Sequence, residues 1–304
     1  MISDACRQEL RRRFGAFLKE NEPLAPRTAW RTGGSAAILL EPPESAGLAE
    51  VQKSLGELGL DYVVIGGGRN LLVVDEGVRE RVIISLVSGF QEMALLGGNQ
   101  EAGLVRAESG VSLPRLIRFC VEQGLSGYER LVGIPGSVGG AVAMNAGAYG
   151  QSFSEHLVAL EVMRDGEREW RPASLLRAGY RDGGLAPQEV VVAAWMLCPR
   201  REPTELAEEA ARVREKRAAK MPLGNHAGSV FKNPPGDFAG RLLEAAGCKE
   251  MVCGRARVAR EHANVIVVGP GVRAAEVMGL IQEMRKRVEE RFGVCLETEI
   301  RVVS

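Results

Sequence analysis

Three successive glycines follow an apolar run: Tyr62 to Ile65 leads directly into Gly66-Gly67-Gly68-Arg69-Asn70 and then Leu71. Residues without a Cβ let neighbouring backbone N–H groups converge on a phosphate, so this segment has the makings of an anion-binding loop. A tight turn closed by Asn70 is the other reading. A second cluster, Gly133-Ile134-Pro135-Gly136-Ser137-Val138-Gly139-Gly140, continues through Asn145-Ala146-Gly147-Ala148-Tyr149-Gly150 and places six glycines in eighteen residues. Glycine loses more conformational freedom on folding than any other residue, so this density is expected where backbone wraps closely around a ligand. After Asn70 the chain reads Leu71-Leu72-Val73-Val74, which is not the start of a helix. Neither the Rossmann fingerprint nor a Walker A loop fits, and a different nucleotide-binding fold is expected.

The elements around these loops follow from periodicity. Residues 4–19 carry Cys6, Leu10, Phe14, Phe17 and Leu18 at helical spacing. A strand over 36–41, a helix with Leu48, Val51, Leu55 and Leu58 on one face, and the strand 62–65 give β-α-β order. Strands are predicted at 81–86 and 104–108 and a helix over 113–123, with 124–150 read as loop and tight turn. Asp165-Gly166 joins 158–163 to 167–171 as a two-residue hairpin, and 190–197 reads as a central strand. At residue 200 the composition changes: Pro199 and Pro203 bracket a charged linker, and a solvated helix over 204–220 follows, which places a domain boundary there. Helices over 237–246 and 273–292 and strands over 264–268 and 296–303 complete the chain.

A chain of 304 residues predicts about two domains. Its 39 Lys+Arg cancel its 39 Asp+Glu, so no global field recruits nucleic acid. The longest uncharged apolar run, 190–198, is far short of the ~20 residues of a membrane span, and the opening residues show no export signal. The chain reads as soluble and cytoplasmic, with neither nucleic acid nor membrane as partner. Six scattered cysteines form no C-x-x-C pair, and His156, His226 and His262 lack ligand spacing, so no metal site is expected.

Seven ordered blocks resemble the UDP-N-acetylenolpyruvoylglucosamine reductase (MurB) family. They are Thr28-Ala29-Trp30-Arg31-Thr32-Gly33-Gly34, the two glycine loops, Tyr180-Arg181-Asp182, Gly228-Ser229-Val230-Phe231-Lys232-Asn233-Pro234, Phe238-Ala239-Gly240 and Glu299-Ile300-Arg301. The resemblance implies an α+β fold with an FAD-binding domain of the vanillyl-alcohol-oxidase (PCMH) type in two subdomains, 1–85 and 86–200. A C-terminal α+β substrate domain over 201–304 would follow. It implies FAD and NADPH as cofactors and a small-molecule substrate, UDP-N-acetylglucosamine enolpyruvate, reduced to UDP-N-acetylmuramate for peptidoglycan. The short stretch between Pro199 and Asn225 resembles the family's second type, without a tyrosine-bearing loop over the substrate.

Three residues align with the family's catalytic groups. Arg181 is a planar cation able to hold a carboxylate in two hydrogen bonds, Ser229 stands at the proton donor, and Glu299 at the active-site glutamate. Lys220 and Asn233 align with substrate contacts. The resemblance assigns FAD contacts to Gly66, Gly67, Gly68, Arg69, Asn70 and Leu71. It adds Gly133, Ile134, Pro135, Gly136, Ser137, Gly139, Gly140, Asn145, Gly147 and Tyr149. Arg69, Gly183, Val268 and the pair Arg255/Arg257 depart from common family residues without removing a catalytic group. The rival readings are another flavoenzyme of the PCMH type and a degenerate flavin or nucleotide-sugar binder; the latter predicts loss of Arg181, Ser229 or Glu299, and all three are present.

Overall fold

The computed structural model describes all 304 residues. Contacts group the chain into two compact units rather than three consecutive stretches. The first holds 1–20, 38–67 and 80–216, and the second 21–37, 68–79 and 217–304.

In the first unit the central strand Val82–Ser85 is wholly buried and pairs in parallel with Tyr62–Ile65, Val63 opposite Ile83. Parallel strands of this kind are buried on both faces, which is why both read as unbroken apolar runs. A five-stranded antiparallel sheet has the order Glu167–Pro172, Leu157–Arg164, Val190–Pro199, Ala102–Glu108, Met93–Gly98. Its hairpin turns at Asp165 and Gly166, with φ of 53° and 77°; positive φ at both central residues is what a two-residue turn matched to strand twist requires. Alternate residues of these strands, Val105, Ala107, Leu160 and Val162 among them, join Leu116 and Ile117 of helix Leu113–Glu122 in one core. On the other face Glu161 is buried. Burial pushes its carboxyl up, but hydrogen bonds from Arg106, Trp195 and Arg168 outweigh this and bring its pKa down to about 2.

Helix Pro203–Ala218 belongs to this first unit up to Lys216, although the composition change lies at residue 200. The reason is a narrow apolar stripe: Leu206, Ala210 and Val213 are buried, and the last two enter the first core. The opening helix is Asp4–Phe14 rather than 4–19, because Gly15 takes the C-cap and Leu18–Pro23 is already a strand. Within 124–150, read as loop, lies helix Val138–Ala143, whose adjacent Gly139 and Gly140 hide its propensity.

The second unit has its own core. Trp30, Leu72, Phe231, Leu243, Ile266 and Met284 meet there, drawn from all three stretches of chain. A small antiparallel sheet, Val252–Cys253, Ala256–Val258 and Ile266–Val268, accompanies helices Ala239–Ala245 and Ala274–Phe292. The longer helix stops at Gly293, whose φ of 66° suits the left-handed cap. Strand Arg301–Val303 pairs in parallel with Leu71–Val73, Arg301 opposite Leu71. The expected strand 296–303 is therefore shorter. Upstream of it Phe231 meets Thr298 in a single bridge, and the N–H and C=O of Phe231 bond to the side chain of Asn264 instead of extending a ladder.

Candidate active site

In the first unit the two glycine loops approach each other. A Cβ on Gly66 would lie 2.5 Å from Ser137 Oγ, and one on Gly67 would lie 3.1 Å from Gly136 Cα. Side chains would fill this cradle. Gly133 and Gly136 have φ of 83° and 126°, conformations that favour glycine, so the backbone of both loops is shaped by residues able to take it. Ser137 is committed to structure: its Oγ accepts from Gly140 N–H at 3.3 Å and caps helix Val138–Ala143. Ile134 N–H is spent on Leu131 O at 3.0 Å, and Gly139 N–H on Ser109 O at 2.9 Å.

Downstream, three of the site candidates are among the eight non-glycine residues with positive φ: Asn145 at 39°, Tyr149 at 52° and Arg181 at 58°. Such conformations are uncommon for residues with a side chain, and they cluster at functional sites. Asn145 ties the flavin-loop candidates to the arginine turn. Its Oδ1 accepts from Ser154 N–H at 3.0 Å, and its Nδ2 donates to Gly179 O at 2.9 Å. Gly179 and Asp182 close the turn by exchanging backbone bonds, and Arg181 at its tip donates from Nη1 to Gly147 O at 3.1 Å. Its guanidinium carbon lies 5.1 Å from the centre of the Tyr180 ring. Gly183 is fixed by contact: a Cβ there would sit 2.1 Å from Val142 O. The glycine that stands where serine is common in the family is thus the residue this backbone admits.

In the second unit Gly68, with φ of 65°, packs so closely on Arg27 that a Cβ would lie 1.8 Å from the Arg27 carbonyl oxygen. Gly68 O accepts from Ala29 N–H at 3.1 Å. The Thr28–Gly34 block is structural here: Trp30 Nε1 donates to Ile266 O at 2.9 Å and Thr32 Oγ1 to Val272 O at 2.8 Å. Arg69 is exposed, whereas Asn70 donates from Nδ2 to Glu299 O at 3.0 Å and its carbonyl accepts from Arg301 N–H at 2.9 Å. Leu71 opens the strand beside Arg301. Glu299 N–H donates to Val230 O at 2.8 Å, and Ser229 bridges to Val265. Asn70, Ser229 and Glu299, 229 residues apart in the case of the Asn70–Glu299 bond, are therefore on adjoining backbones.

Lys220 is exposed just beyond helix Pro203–Ala218, and Asn233 is exposed with its Oδ1 accepting from Ala239 N–H at 3.1 Å. His262 accepts on Nδ1 from Asn264 N–H at 3.2 Å; burial, then the charge of Lys249 and more weakly that of Lys220, lower its pKa. Neither Lys249 nor Asn264 belongs to the blocks that carry the family resemblance. Asn264 is 2% exposed and holds both backbone groups of Phe231, two residues from Ser229.

The cradle at Gly66, Gly67 and Gly136, where a Cβ would meet the facing loop, fits the close approach of an FAD pyrophosphate to backbone. An FAD binding domain model matches residues 36–170, which makes the class of protein an FAD-binding α+β flavoprotein. The model of the UDP-N-acetylenolpyruvoylglucosamine reductase C-terminal domain matches residues 217–303. The chain is 40% identical over 284 residues to UDP-N-acetylenolpyruvoylglucosamine reductase of Syntrophotalea carbinolica, covering 93% of each chain. It is 41% identical over 301 residues to that of Rubrobacter xylanophilus, covering 97% of this chain and 98% of the other. The crystal structure of the Thermus caldophilus reductase (MurB) superposes with a TM-score of 0.82 at 36% identity, covering 95% of this chain and all of that one. The chain belongs to the UDP-N-acetylenolpyruvoylglucosamine reductase family. No helix is long and apolar enough to cross a membrane.

Proposed function

We propose that this chain reduces UDP-N-acetylglucosamine enolpyruvate to UDP-N-acetylmuramate in the cytoplasm, with FAD as resident cofactor and NADPH as reductant. The observation that carries this reading is the meeting of Asn70, Ser229 and Glu299 on adjoining backbones, in a chain whose family performs that reduction. We keep the division at residues 85 and 200 as a functional one, two FAD-binding subdomains of PCMH type followed by a substrate domain. The backbone of Gly66–Leu71 and Gly133–Gly140 would hold the cofactor's phosphates, with Asn145, Gly147 and Tyr149 flanking them.

FAD held by these loops would supply hydride chemistry, with NADPH as its reductant and the methylene carbon of the enolpyruvyl group as acceptor. Negative charge then collects on the carbon alpha to the carboxylate and spreads into it as an enolate. Arg181 holds that carboxylate with a planar, permanent cation, and its fixed turn leaves little reorganisation to be made at the moment of reaction. Glu299 in its acid form donates to the enolate oxygens. The Ser229 hydroxyl gives its proton to the alpha carbon from one face, which sets the stereocentre, and recovers a proton from water. Lys220 neutralises the diphosphate as a point charge, and Asn233 bonds the sugar.

In Ser229→Ala, anaerobic bleaching by NADPH should proceed at the wild-type rate, while return of the yellow colour on adding the enolpyruvyl sugar should slow by roughly 10²–10⁴-fold. A parallel fall in both half-reactions would reject the proton-donor role. Wild-type flavin that bleaches and stays bleached with this sugar would reject the substrate.

A further inference from the structure

Helix Val138–Ala143 ends in a Schellman motif. Ala146 N–H donates to Ala141 O at 2.8 Å, Asn145 N–H donates to Val142 O at 3.0 Å, and Asn145 takes the left-handed position with φ of 39°. Glycine is the usual residue there and asparagine the accepted second, so helix termination explains the backbone without calling for a side chain. Asn145 is nevertheless buried, and both ends of its amide are engaged beyond the helix. Its Oδ1 accepts from Ser154 N–H at 3.0 Å, and its Nδ2 donates to Gly179 O at 2.9 Å.

Gly179 opens the turn that carries Arg181, and it exchanges backbone bonds of 2.8 and 3.3 Å with Asp182. The turn is moored to the end of the helix at three points. The arm leaving Arg181 is held at Gly183, whose N–H donates to Ala143 O at 3.1 Å and whose missing Cβ would lie 2.1 Å from Val142 O. The guanidinium itself donates from Nη1 to Gly147 O at 3.1 Å. The arm entering the turn, residues 177–180, is exposed, and the amide of Asn145 fastens it at Gly179. Arg181 has φ of 58°, a conformation that residues with a side chain keep only where surrounding contacts impose it. A site that grips a planar carboxylate must hold its fork to within about 0.5 Å, so the moorings of this turn bear on what the guanidinium can bind.

We infer that Asn145 is a positioning residue for Arg181: its bond to Gly179 O sets the direction from which the guanidinium meets the substrate carboxylate. The inference rests on the proposed function, which gives Arg181 that carboxylate. It assigns the Asn145 amide to the protein's own turn and leaves only the backbone of this residue to flank the cofactor. Asn145 acts through Arg181, so its loss falls on recognition of the carboxylate rather than on the nucleotide or on FAD.

The test titrates FAD-loaded protein, with the flavin oxidised, against UDP-N-acetylglucosamine enolpyruvate and separately against UDP-N-acetylglucosamine, which lacks the carboxylate. Asn145→Gly keeps the left-handed cap and removes both side-chain bonds, while Asn145→Asp keeps an acceptor for Ser154 N–H and removes the donor to Gly179 O. In both variants affinity for the enolpyruvyl sugar should fall roughly 10- to 100-fold, with affinity for UDP-N-acetylglucosamine and for FAD within about twofold of wild type. In an Arg181→Gln background the same substitutions should cause no further loss, because residues that act through one another are not additive. A full further loss in that background would overturn the inference. Wild-type preference for the enolpyruvyl sugar retained in both variants would overturn the positioning role and leave the function intact. Equal weakening of both sugars, or loss of FAD, would overturn it too, by showing a general distortion or a direct cofactor contact. A wild-type protein that binds the two sugars alike would reject the carboxylate role of Arg181 itself, and the inference with it.

Discussion

Asn264 does at the level of one residue what a neighbouring strand does elsewhere. Its Oδ1 accepts from Phe231 N–H at 2.9 Å, its Nδ2 donates to Phe231 O at 2.8 Å, and its own carbonyl accepts from Val230 N–H at 2.9 Å. The Ser229–Phe231 segment is thereby fixed without a continuous ladder on that side. Replacing Asn264 by Ala strands a buried amide and a buried carbonyl, each costing about 1–3 kcal/mol. Denaturant unfolding of Asn264→Ala should show a loss of about 2–4 kcal/mol, and flavin reoxidation should slow more than reduction, since Ser229 loses its support. A variant as stable as wild type would mean that water substitutes for the amide. The candidate site is unevenly legible at this scale. Ser229, Glu299 and Arg181 are candidates through family spacing alone, because an isolated serine, glutamate or arginine has no local signature. Asn264 is not legible in the sequence because its partner Phe231 lies 33 residues away, which no periodicity reports.

The same limit operates between elements. Long, strongly patterned segments are legible: Tyr62–Ile65, the Asp165-Gly166 hairpin, Val190–Pro199 and Ala274–Phe292 fall where alternation, turn chemistry and helical period put them. The three-residue strands Leu71–Val73 and Arg301–Val303 carry too little pattern, and their pairing is fixed by contact across the sequence. Helix Ala274–Phe292 shows how such contacts complete an element. Its N-cap, Arg273, is a poor capping residue, and the carboxylate of Asp75 supplies what is missing, accepting from Ala274 N–H at 2.7 Å and Ala275 N–H at 3.0 Å. An anion at this end also meets the positive pole of a nineteen-residue helix. Asp75→Ala should therefore destabilise by about 0.5–2 kcal/mol in thermal or denaturant unfolding, although residue 75 is exposed and about 200 positions away from the helix. An effect within error would show that Glu276, which accepts from Arg273 N–H, suffices as the cap.

At the scale of the molecule, the second unit cannot be cut out as a consecutive piece. Residues 217–304 are its bulk, yet Trp30 and Leu72, both fully buried, come from two earlier stretches, as does the carboxylate of Asp75. Loss of a buried tryptophan costs about 3–5 kcal/mol and of a buried leucine about 2–5 kcal/mol, and the missing cap adds about 0.5–2 kcal/mol. The total is comparable with the whole stability of a domain, about 5–15 kcal/mol. Strand Arg301–Val303 would also lose its only ladder partner, Leu71–Val73. Expressed alone, residues 217–304 should give a weak helical circular dichroism signal and no cooperative thermal transition, whereas the full chain melts cooperatively. A cooperative melt of the fragment near the full-chain midpoint would show that helices Ala239–Ala245 and Ala274–Phe292 close a sufficient core without Trp30. The threading also explains why a boundary drawn from composition at residue 200 describes the chain differently from its contacts. Composition reports where the polymer changes character, while the units are defined by which buried surfaces meet, and Trp30 meets Ile266 across 236 residues.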